Sequence, residues 1–210
     1  ELAGYEYDPA GRIVRRIQKN YPASGTDEET RFGYDAEGNL TGSTNPAVAM
    51  KYEYDERNQL TNAFNAPLAK RTRYAYDPVG NMARMEFDGV ETTYTWDALN
   101  RLTRVNRPTA GPAADVMIGY DLAGRRTGKT YGSGAATTYG YDNADRVTSI
   151  LHKKSGGASI ASLAFAHDPA GRIIQQIMNG NNIDYGYDKA DRLTNETYGA
   201  GFPAPGTLRY

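Results

Sequence analysis

The chain has 210 residues, 39% of them apolar, and sets 24 lysines and arginines against 25 aspartates and glutamates for a formal net charge of -1. That balance gives no electrostatic basis for holding nucleic acid or an anionic membrane. No apolar run approaches the ~20 residues of a spanning helix, and the absence of cysteine excludes disulfides and thiolate metal sites.

From its first residues onward the chain spells variants of one phrase nine times, Tyr-x-Tyr-Asp-x-x-Gly-Arg-Leu. The first copy carries Tyr5, Tyr7, Asp8 and Gly11, and the second Phe32, Tyr34, Asp35 and Gly38. Tyr52, Tyr54, Asp55 and Asn58 follow, then Tyr74, Tyr76, Asp77 and Gly80. The fifth copy has Tyr94, Trp96, Asp97 and Asn100, and the sixth Ile118, Tyr120, Asp121 and Gly124. The last three carry Tyr139, Tyr141, Asp142 and Asp145; Phe165, His167, Asp168 and Gly171; and Tyr185, Tyr187, Asp188 and Asp191. Successive Asp residues are 27, 20, 22, 20, 24, 21, 26 and 20 positions apart. A period of that size marks an array of supersecondary units.

Each copy reads as a hairpin. The two aromatic positions before the Asp are separated by two residues and share one face of a strand, where aromatic side chains fit well. Three residues after the Asp only Gly, Asn or Asp occurs. These types tolerate positive φ, as a three-residue hairpin loop with a bulge demands. Five residues after the Asp stands Ile13, Leu40, Leu60, Met82, Leu102, Arg126, Val147, Ile173 or Leu193, apolar in eight of nine. That position should lie across from the aromatic just before the Asp. Four after the Asp, six copies have Arg: Arg12, Arg101, Arg125, Arg146, Arg172 and Arg192. The register predicts six Asp–Arg pairs, on the side away from the aromatics, that set register and deny the sheet an apolar second face.

The longer spacers contain Tyr21-Pro22-Ala23-Ser24-Gly25, Arg107-Pro108-Thr109-Ala110-Gly111-Pro112 and Lys153-Lys154-Ser155-Gly156-Gly157. They read as loops at the far ends of hairpins. Thr207 to Tyr210 reads as the start of a tenth strand. No segment has a helical period. Mean hydropathy is -0.69, and Tyr, at 17, outnumbers Phe at 5 and Trp at 1. A thin sheet sealed by tyrosines is therefore expected, since Tyr joins apolar area to a polar tip. About eighteen strands exceed the ~10 that an open twisted sheet holds without curling. The fold class expected is all-β, a curved single-layer sheet of about nine hairpins. One array should span residues 1–210, as a fragment of a longer chain cut at both ends.

Few residues suggest chemistry. His152, beside Lys153 and Lys154, reads as a solvated loop residue, and His167 as a member of the aromatic position. The acidic loop Thr26-Asp27-Glu28-Glu29 reads as solvated surface, and so does the basic cluster of Lys70, Arg71 and Arg73. The Asp spacing does not match a calcium loop, and an Arg four residues on would repel a cation. No catalytic constellation, metal site or cofactor is expected. The sequons at Asn39 and Asn195 are short matches. The tyrosines suit packing between repeats, with stacking on sugars as the alternative.

The unit, clearest at Tyr5–Ile13, Tyr74–Met82, Tyr94–Thr103 and Tyr185–Thr194, resembles the YD repeat of rearrangement-hotspot (Rhs) proteins. That repeat also occurs in the BC component of insecticidal Tc toxins, in wall-associated bacterial toxins and in teneurins. The resemblance implies a hairpin array spiralling into a hollow shell, which in the toxin members encloses a toxic domain. The family's self-cleaving region carries an Asp-Pro-x-Gly-Leu core. Here Asp8-Pro9-Ala10-Gly11, Asp77-Pro78-Val79-Gly80 and Asp168-Pro169-Ala170-Gly171 are followed by Arg or Asn and lie in phase with the repeat, so they read as turns. The resemblance implies a non-enzymatic wall segment of a secreted or surface-delivered bacterial protein. Its partners would be further YD repeats of the parent chain, an enclosed toxin, and other copies through open sheet edges. An adhesion or glycan-binding module and a self-assembling filament are the alternatives.

Overall fold

A computed structural model describes residues 3–18, 27–108, 111, 115–203 and 205–210. The spacer Tyr21–Gly25 lies outside the described residues, as do Thr26, Thr109, Ala110 and Pro112. Nineteen β-strands and no α-helix occur among the described residues, and they cluster into two compact units, Glu1–Tyr94 and Thr95–Tyr210.

The first unit holds β1 (Ala3–Tyr7), β2 (Ile13–Gln18), β3 (Glu28–Tyr34), β4 (Leu40–Thr44), β5 (Ala49–Tyr54), β6 (Leu60–Asn65), β7 (Lys70–Tyr76), β8 (Met82–Phe87) and most of β9 (Val90–Trp96). The second holds the end of β9, then β10 (Leu102–Asn106), β11 (Val116–Tyr120), β12 (Arg126–Tyr131), β13 (Ala136–Tyr141), β14 (Val147–Lys153), β15 (Ser159–His167), β16 (Ile173–Met178), β17 (Asn181–Tyr187), β18 (Leu193–Tyr198) and β19 (Gly206–Arg209). Within each unit every strand pairs antiparallel with its neighbour in sequence, a plain meander.

The repeat phrase builds the turn between the two strands of each hairpin. In all nine copies the Asp N–H donates to the carbonyl four residues on, and the residue three after the Asp donates its N–H back to the Asp carbonyl, at 2.9 to 3.2 Å. The closing residue is left-handed throughout. Gly11, Gly38, Gly80, Gly124 and Gly171 have φ of 78° to 97°, and Asn58, Asn100, Asp145 and Asp191 have φ of 57° to 63°. This is a type I turn followed by an αL residue, the usual three-residue hairpin loop.

Directly beyond the turn the aromatic before the Asp faces the position five after it, as in Tyr7 with Ile13, Tyr54 with Leu60 and Tyr187 with Leu193. Then the register slips. In eight of the nine hairpins the next pair skips one residue of the return strand, so that Glu6 faces Arg15 and Val14 is left unpaired. Such a bulge bends the strand and increases its twist. Its consequence appears on the other side of the return strand. In the first unit the ladders from one hairpin to the next end at Arg15 with Arg31, Gly42 with Lys51, Asn62 with Arg73 and Arg84 with Thr93. In the second they end at Arg104 with Met117, Gly128 with Thr138, Ser149 with Ala164, Gln175 with Asp184 and Asn195 with Arg209. Every one stops seven residues after the Asp. Towards the turns, neighbouring hairpins are not joined by backbone ladder bonds.

The sheet has almost no core. Among the described residues Ile183 is the one buried apolar side chain, at 9% exposure, and Thr30 and Thr137 are the buried polar ones. All three stand five residues before an Asp, on the face that carries the aromatics. The opposite face is charged. In the first unit Arg15 bonds both Glu6 and Glu29, at 2.6 and 2.7 Å, and Arg73 bonds Glu86 at 2.8 Å. In the second, Arg104 pairs with Asp115, and Asp184 accepts Gln175 at 2.7 Å.

Two surface expectations change. Glu28 and Glu29 belong to strand β3, and Glu29 is held by Arg15 and Arg31. Lys70, Arg71 and Arg73 are exposed on β7, in keeping with the solvated surface expected of them; Lys70 pairs with Asp88, and the Arg71 guanidinium is 5.2 Å from the Phe64 ring centre. His152 lies on β14, its Nδ1 2.9 Å from Thr137 Oγ1. For Glu29 and His152 cross-strand pairing offers the polar group a partner that a solvated loop would not. Lys154 to Gly157 do form a turn, with the Gly157 N–H on the Lys154 carbonyl at 3.0 Å.

At Gly171 (φ 92°) a Cβ would meet nothing within 4 Å, so the backbone alone constrains the position. Gly171→Val should therefore destabilise the second unit by over ~1 kcal/mol, because a β-branched residue resists positive φ. Urea titration followed by circular dichroism measures it, and an unchanged midpoint would remove the left-handed requirement.

Candidate functional surface: the clamps between repeats

The turn places the Asp carboxylate where it can bond in two directions. Asp8 Oδ1 accepts the N–H groups of Ala10 and Arg12, both at 2.9 Å, as an Asx-turn. Its Oδ2 accepts Arg12 Nε at 2.7 Å. The same carboxylate–guanidinium bond joins Asp97 to Arg101, Asp121 to Arg125, Asp142 to Arg146, Asp168 to Arg172 and Asp188 to Arg192, at 2.6 to 2.8 Å. Where the copy has Asn instead, Asn39 and Asn81 donate to Asp35 and Asp77 at 3.0 Å.

The arginine also reaches into the next repeat. Arg12 Nη1 donates to the Asp35 carbonyl at 3.3 Å, and its guanidinium lies 4.7 Å from the centre of the Tyr34 ring. In the second unit Arg101 does this with Asp121 and Tyr120, Arg125 with Asp142 and Tyr141, and Arg172 with Asp188 and Tyr187, the rings 4.7 to 4.9 Å away. Arg146 reaches the Asp168 carbonyl at 2.8 Å; the aromatic position beside that Asp is His167. The arginines were expected on the side away from the aromatics. They lie over the next repeat's rings because the ladder ends short of the turn and the long guanidinium arm bridges the gap. Such contact over a ring contributes about 0.5–1 kcal/mol at an exposed site.

The tyrosine just before the Asp fills the same gap from the other side. Tyr34, Tyr54, Tyr76, Tyr120, Tyr141 and Tyr187 each donate their hydroxyl at 2.9 Å to the preceding repeat, to the carbonyls of Ile13, Leu40, Leu60, Leu102, Arg126 and Ile173. Each acceptor stands five residues after its Asp, beyond the end of the ladder. The hydroxyl replaces a missing backbone donor.

The other repeat-defining aromatics pack. Tyr52, Tyr74, Tyr94, Trp96, Tyr139 and Tyr185 are half-buried, and the Tyr185 hydroxyl meets Gln176 Oε1 at 3.4 Å. Tyr5 and Tyr7 are 48% and 59% exposed.

One further periodic pair escaped the sequence reading. Six residues after the Asp, at the bulge, six of nine copies have Thr, and two residues before it six have Gly or Ala. Thr61 and Thr103 fold their hydroxyls onto the carbonyls of Glu53 and Thr95, at 3.1 and 3.0 Å. A Cβ on Gly33 or Gly119 would come within 3.3 or 3.0 Å of Thr41 or Thr127 Oγ1. The small residue makes room for the bulge side chain, and its recurrence was visible in the sequence.

The turn carboxylates are held below the ordinary aspartate value of 3.8 at Asp8, Asp35, Asp77, Asp97, Asp121, Asp142, Asp168 and Asp188. At Asp8, Asp97, Asp142 and Asp188 the largest influence is the N–H of the arginine four residues on, which lowers it. At Asp35, Asp77, Asp121 and Asp168 it is desolvation, which raises it and is outweighed by the donors four residues on. A carboxylate depressed by folding stabilises the fold fully above its unfolded value and loses that contribution as pH falls through the folded one. The melting temperature should hold down to the ordinary aspartate range and then drop steeply towards pH 2. A flat profile in thermal melts between pH 5 and 2 would mean these bonds do not stabilise the array. Tyr54→Phe, which removes one inter-repeat hydroxyl, should cost about 0.5–1.5 kcal/mol, measured by urea denaturation; an unaltered midpoint would show that the Leu40 carbonyl needs no donor.

Known proteins carry the same architecture. The sequence model of the Teneurin YD-shell family matches residues 2–156. In fold the chain is similar to the crystal structure of TcdB2-TccC3 (TM-score 0.72, 13% identity) and to the TcdB2-TccC3 form without its hypervariable C-terminal region (TM-score 0.72, 14% identity). It is also similar to the Photorhabdus luminescens Tc holotoxin pore (TM-score 0.71, 14% identity). Each of these likenesses covers 93% of this chain and 12% of the other. No curated protein matches it in sequence. The family model spans more than half of the chain, the solved folds share its hairpin array, and the chain belongs to the Teneurin YD-shell family as a segment of a YD-repeat shell.

Proposed function

We propose that this segment is part of the wall of an Rhs-type shell that encloses a toxin or other cargo in a secreted or surface-delivered bacterial protein. The observation that carries the reading is the way repeats are joined. Six of the eight joints are clamped by a tyrosine hydroxyl, and guanidinium or amide groups reach from one repeat to the next, rather than a shared core holding them. Such joints extend a thin sheet indefinitely, as a wall requires and a globular domain does not. The similarity to TcdB2-TccC3 supports the same reading.

The mechanism is steric. A continuous hydrogen-bonded sheet keeps proteases and partners from the cargo, and confinement limits the conformations the cargo reaches. The reading gives the wall no reaction to perform: the turn carboxylates bond turn N–H groups and six of the tyrosine hydroxyls bond neighbouring carbonyls. That commitment also favours packing over sugar-stacking as the role of the tyrosines, and so the shell over a glycan-binding module.

Electron microscopy of the intact parent protein tests the proposal. A closed hollow particle with internal density is the expected result. An open rod or filament would overturn it.

A further inference from the structure

The joint between the third and fourth repeats lacks the part that completes the others. At the Arg12, Arg101, Arg125 and Arg172 joints one guanidinium satisfies three groups: the Oδ2 of its own Asp, the carbonyl of the next Asp, and the ring of the next tyrosine. Asp55 has Gln59 in that place. The Gln59 amide turns away and donates to the Gly80 carbonyl at 3.2 Å. Asp55 keeps its turn, with Oδ1 accepting Arg57 and Gln59 N–H groups at 2.9 Å. Among the described residues, no side chain bonds its Oδ2 and no cation covers the Tyr76 ring.

The space is open. A cleft of about 480 Å³ lies between these two repeats, its lining including Asp55, Arg57, Gln59, Tyr74, Tyr76 and Asp77. The Asp35 joint is different, because Asn39 bonds both Asp35 Oδ2 and Asn58 Oδ1 and so occupies its own carboxylate.

The geometry points to this cleft as a receptor for a guanidinium, an arginine side chain presented by a partner polypeptide. Its plane would stack on Tyr76 while its N–H groups bond Asp55 Oδ2 and the Asp77 carbonyl, reproducing from outside what Arg12 and Arg125 do from within. The local charge favours a cation. Asp55 and Asp77 carry two negative charges, and Arg57, which donates to the Pro78 carbonyl at 2.6 Å, supplies one positive charge. Burial, then Tyr74 and Asp55, push the Tyr76 hydroxyl up from its ordinary value. A guanidinium suits the site better than an ammonium, since only a plane can stack and bond at its edge together.

The test is titration of the 210-residue chain with N-acetyl-arginine amide, and with N-acetyl-lysine amide for comparison, followed by NMR. Saturable shifts should be confined to residues around Asp55 and Tyr76, with arginine binding at least ~10-fold tighter than lysine. Asp55→Asn keeps the Oδ1 acceptor for the turn and should abolish binding in a chain whose circular dichroism is unchanged. Gln59→Arg should also abolish binding, by filling the cleft from within, and should raise the melting temperature. Absence of saturation, equal affinity for the lysine analogue, or binding undiminished in Gln59→Arg would each overturn the assignment.

Discussion

The organising constraint is where the ladder stops. One extra residue in the return strand of eight of the nine hairpins bends it away from the following hairpin, and inter-repeat pairing ends seven residues after every Asp. Beyond that point a wedge opens with backbone carbonyls facing it. An unpaired carbonyl away from water is costly, so the wedge must be filled by side chains with donors. A tyrosine hydroxyl and a guanidinium meet that need, because each brings a flat apolar surface and a donor at its end. The Tyr, Asp and Arg of the repeat phrase are thus the parts of one joint.

A protein joined in this way distributes its stability along the chain. With Ile183 the one buried apolar side chain among the described residues, no central core ties distant strands together. Stability is then close to a sum of hairpin and nearest-neighbour terms. The two units differ in how their joints are made. The first has one arginine, Arg12, followed by Asn39, Gln59 and Asn81, and the second has Arg101, Arg125, Arg146, Arg172 and Arg192. Ionic joints carry a dependence on salt that amide joints lack, whereas acid weakens both, since Asp35 and Asp77 beside Asn39 and Asn81 are also held below the ordinary aspartate value.

The charged face answers a separate problem. A sheet one layer thick exposes both faces, and an apolar second face would invite stacking against other sheets. Cross-strand pairs such as Glu6–Arg15–Glu29 and Arg73–Glu86 keep that face polar while setting strand register. Exposed pairs contribute little stability; their value lies in what they prevent.

Within one repeat, nearly everything was legible in the sequence. Strand, turn, left-handed residue and the Asp–Arg bond all lie within nine positions of one another, where local sterics and short-range hydrogen bonds decide the conformation, and nine copies expose the pattern through its exceptions. Between repeats the sequence was silent. The reach of Arg12 to Asp35 and Tyr34, and of Tyr34 to Ile13, spans 21 to 23 residues, and it depends on how far the bulge splays the strands. His152 and Glu29 were misplaced for a related reason, since cross-strand partners drew them into strands that local composition reads as loops. The open cleft at Gln59 is the sharpest case. The sequence shows one residue departing from a pattern, and only the packing of neighbouring hairpins decides that the departure leaves a carboxylate oxygen and a tyrosine ring uncovered.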